Sequence, residues 1–503
     1  MSVNVNETEA KYDAPAGASL PGLDRLPQVA DISGPQEQVL EAEYYDTDDL
    51  RLIRAGITLR RRSGGHDDGW HLKLPLGGDT RREIRRPLNG AAQVPGELVS
   101  LVQVHTRGAP LAPITRMTTT RQRLILLNEA GDSLAEIAAD DISTQTLGPA
   151  TAISRWQEIE VELTGGDGRL LQDADELLRH DGLRRAGRTA KLARALGDRL
   201  PRPDDRPSLT TSSPAGQVVL AYLRVHAERL KALDPFVRLD EPDSVHQMRV
   251  ASRRLRSTLR SFRHTLNQDA TSGLATDLKW LGGVLGAARD GEVLDAHLRS
   301  RLSQAPLELR IGPVEARIQG HFASVSAAAR TELLAALDSD RYFSLLDDLD
   351  RLLAEPPLTT EATWPAADVL PAVARRIRRQ MNRRMRRAWR TAPGQSRNEA
   401  LHRARKSARR ARYAAEAMTP AIGAEAVRFV KRMKKVQSVL GEHQDSVIAG
   451  VAARGLGIGA HLAGENAFSY GLLCERAACD GKRLQADARR TWNKAAHKPR
   501  WPH

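Results

Sequence analysis

Charged and uncharged positions alternate along residues 7–12, where Glu7, Glu9 and Lys11 are interleaved with Thr8, Ala10 and Tyr12. A β-strand turns successive side chains to opposite faces, so this spacing predicts a strand with two carboxylates and an ammonium on one side. The same period recurs downstream. Residues 57–62 (ITLRRR) put Arg60 and Arg62 together, 70–75 (WHLKLP) offer Lys73, and 81–88 (RREIRRPL) offer Arg81 and Glu83. Residues 118–127 set Arg121 and Arg123 opposite Leu124 and Leu126, and 134–140 carry Glu136 and Asp140. In 156–166 (WQEIEVELTGG), Glu158, Glu160 and Glu162 alternate with Ile159, Val161 and Leu163. Any one of these strands reads as half-buried with its polar face in water. Together, acid-bearing and base-bearing strands with apolar opposite faces predict a sheet closed into a barrel, charged inside and packed outside against helices. Barrel interiors are ordinarily filled by apolar side chains, so a charged lumen implies a ligand or ion. Carboxylates suit Mg2+ or Mn2+, and Arg and Lys suit phosphate oxygens.

The pattern changes after residue 198. The stretch DRLPRPDDRPSLTTSSPAG (198–216) reads as a linker, placed at 199–213. Beyond it Ala, Leu and Arg dominate at helical spacing, which predicts an all-α module behind an N-terminal α+β module. One motif is written twice. VHQMRVASRRLRSTLRSF (245–262) and LHRARKSARRARYAAEAM (401–418) align His246 with His402, Arg249 with Arg405, Arg253 with Arg409 and Arg256 with Arg412. A second pair follows, in which Lys279, Gly286 and Asp290 match Lys434, Gly441 and Asp445. This is an internal helical repeat. Within each copy the His and Arg positions step by 3, 4 and 3, so they share a helix face, while Leu255, Leu259 and Phe262 form a separate apolar stripe. Like charges along one face repel, so two such ladders suit an anionic groove, with Lys279, Lys431 and Lys434 as candidate walls. RRIRRQMNRRMRRAWR (375–390) adds nine arginines between the copies.

Charge sharpens the division. Residues 1–200 hold 25 Lys and Arg against 30 Asp and Glu, and residues 201–503 hold 51 against 32, within an overall formal charge of +14. The basic half points to a polyanionic partner. Aromatics make up 4% of the chain and no RNP-like stacking motif is present, which disfavours single-stranded nucleic acid. Two cysteines, Cys474 and Cys479, do not make a disulfide framework, and no apolar run or leader pattern predicts a membrane span or signal peptide. The expected location is the cytoplasm.

The ordered landmarks resemble the CYTH superfamily, the triphosphate tunnel metalloenzymes. Glu7-x-Glu9-x-Lys11 is similar to its ExExK signature, and YYDTDDLRLIRAGITLRRR (44–62) to its Tyr-Asp-Thr turn leading into an L-R-x-R strand. Lys73, Arg81/Glu83, Arg121/Arg123, Asp140, Glu160/Glu162 and Lys191 follow in order, so the resemblance covers about residues 5–198. It implies an eight-stranded antiparallel tunnel that acts on triphosphate groups with Mg2+ or Mn2+. On that resemblance Glu7, Glu9, Asp140, Glu160 and Glu162 are metal-side carboxylates. Arg60, Arg62, Lys73, Arg121, Arg123 and Lys191 grip phosphates, and Lys11 positions or activates the attacking water. The duplicated motif resembles the CHAD domain over about residues 214–490, with repeats at 214–355 and 364–490. That resemblance implies two four-helix bundles related by pseudo-twofold symmetry and a basic surface for inorganic polyphosphate. The expected binding residues are His246, Arg249, Arg253, Arg256, Lys279, His402, Arg405, Arg409, Arg412, Lys431 and Lys434. The function expected is a metal-dependent inorganic triphosphatase with a polyphosphate-binding module. A non-catalytic protein that binds polyphosphate and targets the chain to polyphosphate granules stands as the alternative, and an adenylate cyclase as a further one.

Overall fold

The alternating segments are strands of one closed sheet in a computed structural model, which describes residues 3–15, 22–65, 67–88, 93–148, 151–186, 191–200 and 208–496. The strands are β1 (Val3–Ala14), β2 (Asp31–Asp46), β3 (Thr58–Ser63), β4 (Gly69–Gly77), β5 (Thr80–Arg86), β6 (Ala112–Leu127), β7 (Ser133–Thr146) and β8 (Ile153–Leu163). Their order is β5-β4-β3-β2-β6-β7-β8-β1, all antiparallel, and β1 also pairs with β5. The first half of β1 serves β5 (Glu7 opposite Arg81) and the second half β8 (Glu9 opposite Glu162), which closes an eight-stranded barrel without a free edge. A two-residue strand, β9 (Arg184–Arg185), adds to β1 at Tyr12 and Asp13.

The outward faces pack as their apolar alternation requires. Ala10, Tyr12, Leu126, Ile137, Ile159 and Val161 are buried with Leu170, Leu171, Ala174 and Leu178 of α3 (Gly168–His180). Asp167 caps that helix by accepting from the backbone N–H groups of Arg169 and Leu170 at 3.0 and 3.2 Å. The Tyr-Asp-Thr turn leads into α1 (Arg51–Arg54), and α2 (Gly96–Thr106) follows β5. Toward one end the inward face turns apolar. Tyr44, Met117, Ile142 and Trp156 join Leu192, Ala195 and Leu196 of α4 (Lys191–Leu196) in one core cluster. The short helix thus plugs that end and carries Lys191 into the lumen.

Residues 1–205 and 206–503 form two compact units. Residues 201–207, inside the expected linker, lie outside the described residues. The second unit contains nine helices among its described residues: α5 (Ala215–Arg238), α6 (Ser244–Ser261), α7 (Gln268–Ser303), α8 (Val314–Leu337), α9 (Asp340–Ala354), α10 (Ala366–Arg390), α11 (Gln395–Ile422), α12 (Ala424–Leu462) and α13 (Phe468–Ala495). The repeat is visible at its seams. Ala215 N–H donates to the Trp364 carbonyl at 2.9 Å, and Ala366 N–H donates to the Ser213 carbonyl at 2.8 Å, so the starts of α5 and α10 bond reciprocally. The second copy has four helices, while the first has α9 as a fifth, whose buried Tyr342 donates to Asp234 of α5 at 3.0 Å.

Candidate functional site

Ten of the twelve expected tunnel residues line one cavity of about 170 Å3 in the barrel: Glu7, Glu9, Lys11, Arg60, Arg62, Lys73, Arg121, Glu160, Glu162 and Lys191. Asp140 lies behind this lining, where it accepts both Arg121 Nε and Nη2 at 2.8 Å and also bonds Lys191. Arg123 sits one inward position further along β6 and pairs with Glu136 at 2.7 Å. The cavity also takes in Gln38, Tyr44, Thr58, Asp67, Arg81, Glu83, Arg85 and Glu136. Arg81, Glu83 and Glu136 already stand on the charged strand faces of the sequence pattern, and carrying each strand's parity further marks others: Thr58 shares it with Arg60, Arg85 with Glu83, and Gln38 with Tyr44. Asp67 had no such signal, because it lies between strands and reaches Arg62 at 3.3 Å only through the fold.

Acids and bases are interleaved throughout. Lys11 bonds Glu160 and stands 3.2 Å from Glu9, while Lys73 bonds Glu7. Arg85 reaches Glu7 at 3.0 Å. Burial works against every one of these charges. It raises Glu7 to about 7, with Lys73 opposing and Glu83 and Glu162 adding to the rise. Burial also pushes Glu9 up, but Lys11 and Lys73 bring it below its ordinary range. Lys11 would be depressed by burial, yet Glu160 and Glu9 hold it well above the usual lysine range, so it stays an ammonium. Arg62 falls to about 10 through burial and the neighbouring Arg60.

Among the described residues, one group of carboxylates lies close enough to share a cation. Oxygens of Asp140, Glu158 and Glu160 come within 4.8 Å of one another, and all three residues are buried. Glu158 belongs to this group although the sequence reading did not place it there. Its Oε2 accepts from the Trp156 indole at 2.9 Å. Its buried Oε1 has no hydrogen-bond partner and faces the Lys191 ammonium at 3.4 Å. Three hard oxygen donors with an unsatisfied atom among them fit a divalent cation such as Mg2+ or Mn2+. Glu7, Glu9 and Glu162 are on the same lumen but belong to the Lys73 and Lys11 side of it.

In the helical unit the two ladders meet. Arg249 lies over Gly286 of α7 and bonds Asp290 at 2.6 Å. Arg405 lies over Gly441 of α12, with Asp445 4.0 Å away. The duplicated Gly and Asp are therefore the seat and counter-charge of the duplicated Arg. Arg253 and Arg409 lie in each other's field: burial and the charges of Arg253, Arg405 and Arg249 push Arg409 down to about 10. Burial and nearby cations also keep His246 and His402 below their ordinary range. Lys279, Lys431 and Lys434 are exposed. Lys279 shares a helix face with Gly286 and Asp290, as Lys434 does with Gly441 and Asp445, since steps of 7 and 11 residues return to one side. The fourth rung differs between copies. Arg412 is neutralised by Glu416 at 3.1 Å, whereas Arg256 faces Arg260, the residue at the position of Glu416 in the first copy.

Among the described residues no helix is long and apolar enough to cross a membrane. The CYTH domain family matches residues 6–195, and the CHAD domain family matches residues 221–454. Over 512 residues the chain is 36% identical to an uncharacterized protein of Mycobacterium tuberculosis (strain CDC 1551 / Oshkosh), covering 98% of each. Similar solved structures include the CHAD domain from the plant Ricinus communis, at 25% identity over 60% of this chain and 99% of that one, with a TM-score of 0.48. PptA from Streptomyces chartreusis is 20% identical over 56% of this chain and 100% of that one, also with a TM-score of 0.48. The chain belongs to the proteins that join an N-terminal CYTH domain, a triphosphate tunnel, to a C-terminal CHAD domain.

Proposed function

We propose that the barrel hydrolyses inorganic tripolyphosphate or the triphosphate ends of related chains with Mg2+ or Mn2+, and that the helical domain binds inorganic polyphosphate. The observation that carries this reading is the single lumen in which buried carboxylates and buried Arg and Lys side chains are packed together. Phosphoryl transfer needs positioning and charge neutralisation more than covalent help. In this reading Arg60, Arg62, Lys73, Arg121 and Lys191 hold phosphate oxygens, and Arg123 supports Glu136, with which it pairs. Asp140, Glu158 and Glu160 would hold the divalent cation, with Glu7, Glu9 and Glu162 as the carboxylates on the other side. When bound, the cation supplies neutralisation of developing phosphate charge and orientation of the transferred group. Lys11, held as an ammonium between Glu9 and Glu160, donates hydrogen bonds that orient the attacking water.

The purified full chain should release orthophosphate from tripolyphosphate with Mg2+ or Mn2+ and lose that activity in a chelator. The double variant Glu7→Gln/Glu9→Gln should lose turnover and keep polyphosphate binding. No hydrolysis with either metal overturns the enzymatic half of the proposal. In the helical domain, Ala at Arg249, Arg253, Arg405 and Arg409 together should weaken polyphosphate binding and flatten its salt dependence. Unchanged affinity in that variant would remove the central groove from consideration.

A further inference from the structure

The arginines of α10 are not explained by the duplicated groove. Six of them are exposed, and five of these, Arg375, Arg379, Arg383, Arg386 and Arg390, step by 4, 4, 3 and 4, so they form one row on the side opposite the buried Ile377, Met381 and Met385. The row spans about 22 Å at the helical rise. Three pairs within it are like charges at i,i+4, each costing roughly 0.2–0.5 kcal/mol in an isolated helix.

Elsewhere in this unit several exposed arginines pair with acids one turn away: Arg299 with Asp295, Arg351 with Asp348, Arg428 with Glu425, and Arg490 with Asp487. None of the nine arginines of α10 forms a salt bridge among the described residues. The repeat supplies a second contrast. α5, the counterpart of α10, has four Lys and Arg residues, among them Lys231 paired with Asp350 and Arg238 with Asp234. The row is a property of one copy only.

The asymmetry of the groove points the same way. On the Arg412 side Glu416 ends the ladder, while on the Arg256 side Arg260 extends it. Arg410 there lies in the field of Arg260, Arg384 and Arg256, and its guanidinium donates to Gln380 of α10 at 3.3 Å. Arg384 in turn donates to Ser407 of α11 at 2.6 Å. Positive charge therefore extends from the Arg256 side of the groove to Arg384 on α10, whereas on the Arg412 side it meets Glu416.

We propose that the exposed face of α10 is a second phosphate track, entered from the Arg256 side of the groove, that engages polyphosphate chains too long for the groove alone. The inference rests on the reading that the helical domain binds polyphosphate, and it adds an exit direction and a chain-length preference to that site. A single-file polyanion suits one narrow row of guanidiniums, each of which can take two phosphate oxygens.

The test is the full chain with Arg379→Gln, Arg383→Gln and Arg386→Gln, substitutions that keep helix propensity nearly constant and leave the core face untouched. Affinity for long-chain polyphosphate should fall about tenfold, and the slope of log affinity against log salt should become shallower by about 2. Affinity for a short-chain polyphosphate, tripolyphosphate hydrolysis and the thermal melt should not change. If the unaltered chain binds neither length of polymer, the polyphosphate reading itself fails. If the unaltered chain binds and the variant holds long and short chains equally well, the track on α10 is refuted. An equal loss for both lengths would make α10 part of the groove, and a loss confined to duplex DNA would make it a nucleic-acid site; either result also overturns the proposal.

Discussion

Single residues carry roles in this chain that their motif alone did not reveal. Asp46, in the Tyr-Asp-Thr turn, is fully buried and accepts from the backbone N–H groups of Thr47, Leu52 and Ile53 at 2.7, 2.9 and 3.0 Å. It is the cap that turns β2 into α1, and it does not face the lumen cavity. Asp46→Ala leaves those donors buried and unpaired, so it should lower unfolding free energy by about 2–4 kcal/mol in urea titration. His226 gives a pH signature of the other unit. Burial and the Arg254 guanidinium push it down to about 4, and its ring stands edge-on to Tyr222 at 4.3 Å. Above its unfolded value near 6.5 the ring is neutral in both states; between 6.5 and 4 only the unfolded chain takes up the proton. Stability should therefore drop as pH falls through that window, by at most about 3 kcal/mol from this group. His226→Phe should flatten the pH dependence of the melting temperature by a corresponding amount, and an unchanged profile would place the titration elsewhere.

At the scale of elements, strand parity was legible and strand partnership was not. The inward face of each strand followed from alternation, because a half-buried strand has only one way to hide its apolar side. Which acid meets which base depends on register between strands far apart in sequence. Arg121 opposite Asp140 follows from the β6–β7 register and Lys11 opposite Glu160 from the closure of β1 on β8, and no local pattern states either. Glu158 went unassigned for the same reason: its nearness to Asp140 comes from the β7–β8 register. The helical repeat was easier to read, since contacts along a helix are local, yet the ladder of four per copy overlooked Glu416, four residues after Arg412 on the same helix. The glycines of the repeat give an element-scale prediction. A Cβ on Gly441 would stand 3.1 Å from Arg405 Nη2, and one on Gly286 3.1 Å from Arg249 Nη2. Alanine adds helix propensity of up to about 1 kcal/mol at each place, and the flexible guanidinium can lift to make room. Gly286→Ala with Gly441→Ala should thus leave the melting temperature equal or higher while polyphosphate affinity falls severalfold. A lower melting temperature with unchanged affinity would make the glycines packing residues only.

Two units with separate cores and opposite charge balance make the whole molecule a test of division of labour. The barrel closes on itself and carries every residue proposed for hydrolysis, so a fragment of residues 1–205 should cleave tripolyphosphate at the rate of the full chain. A fragment of residues 206–503, with its reciprocal α5–α10 seam intact, should bind polyphosphate without hydrolysing it. What the fusion adds is proximity. If the helical unit holds polyphosphate as proposed, the polymer's end meets a barrel on the same chain at an effective concentration set by the connection, which converts a second encounter into an intramolecular one. On tripolyphosphate, for which the proposed reaction needs the barrel alone, the full chain and an equimolar mixture of the two fragments should have equal kcat/KM. On long-chain polyphosphate at concentrations below KM, the full chain should exceed the mixture by about 10- to 100-fold, and added salt should shrink that advantage by weakening the helical unit's grip. Equal rates on the long polymer would mean that the two units act on separate molecules, and the charge difference between the halves would then serve each site alone.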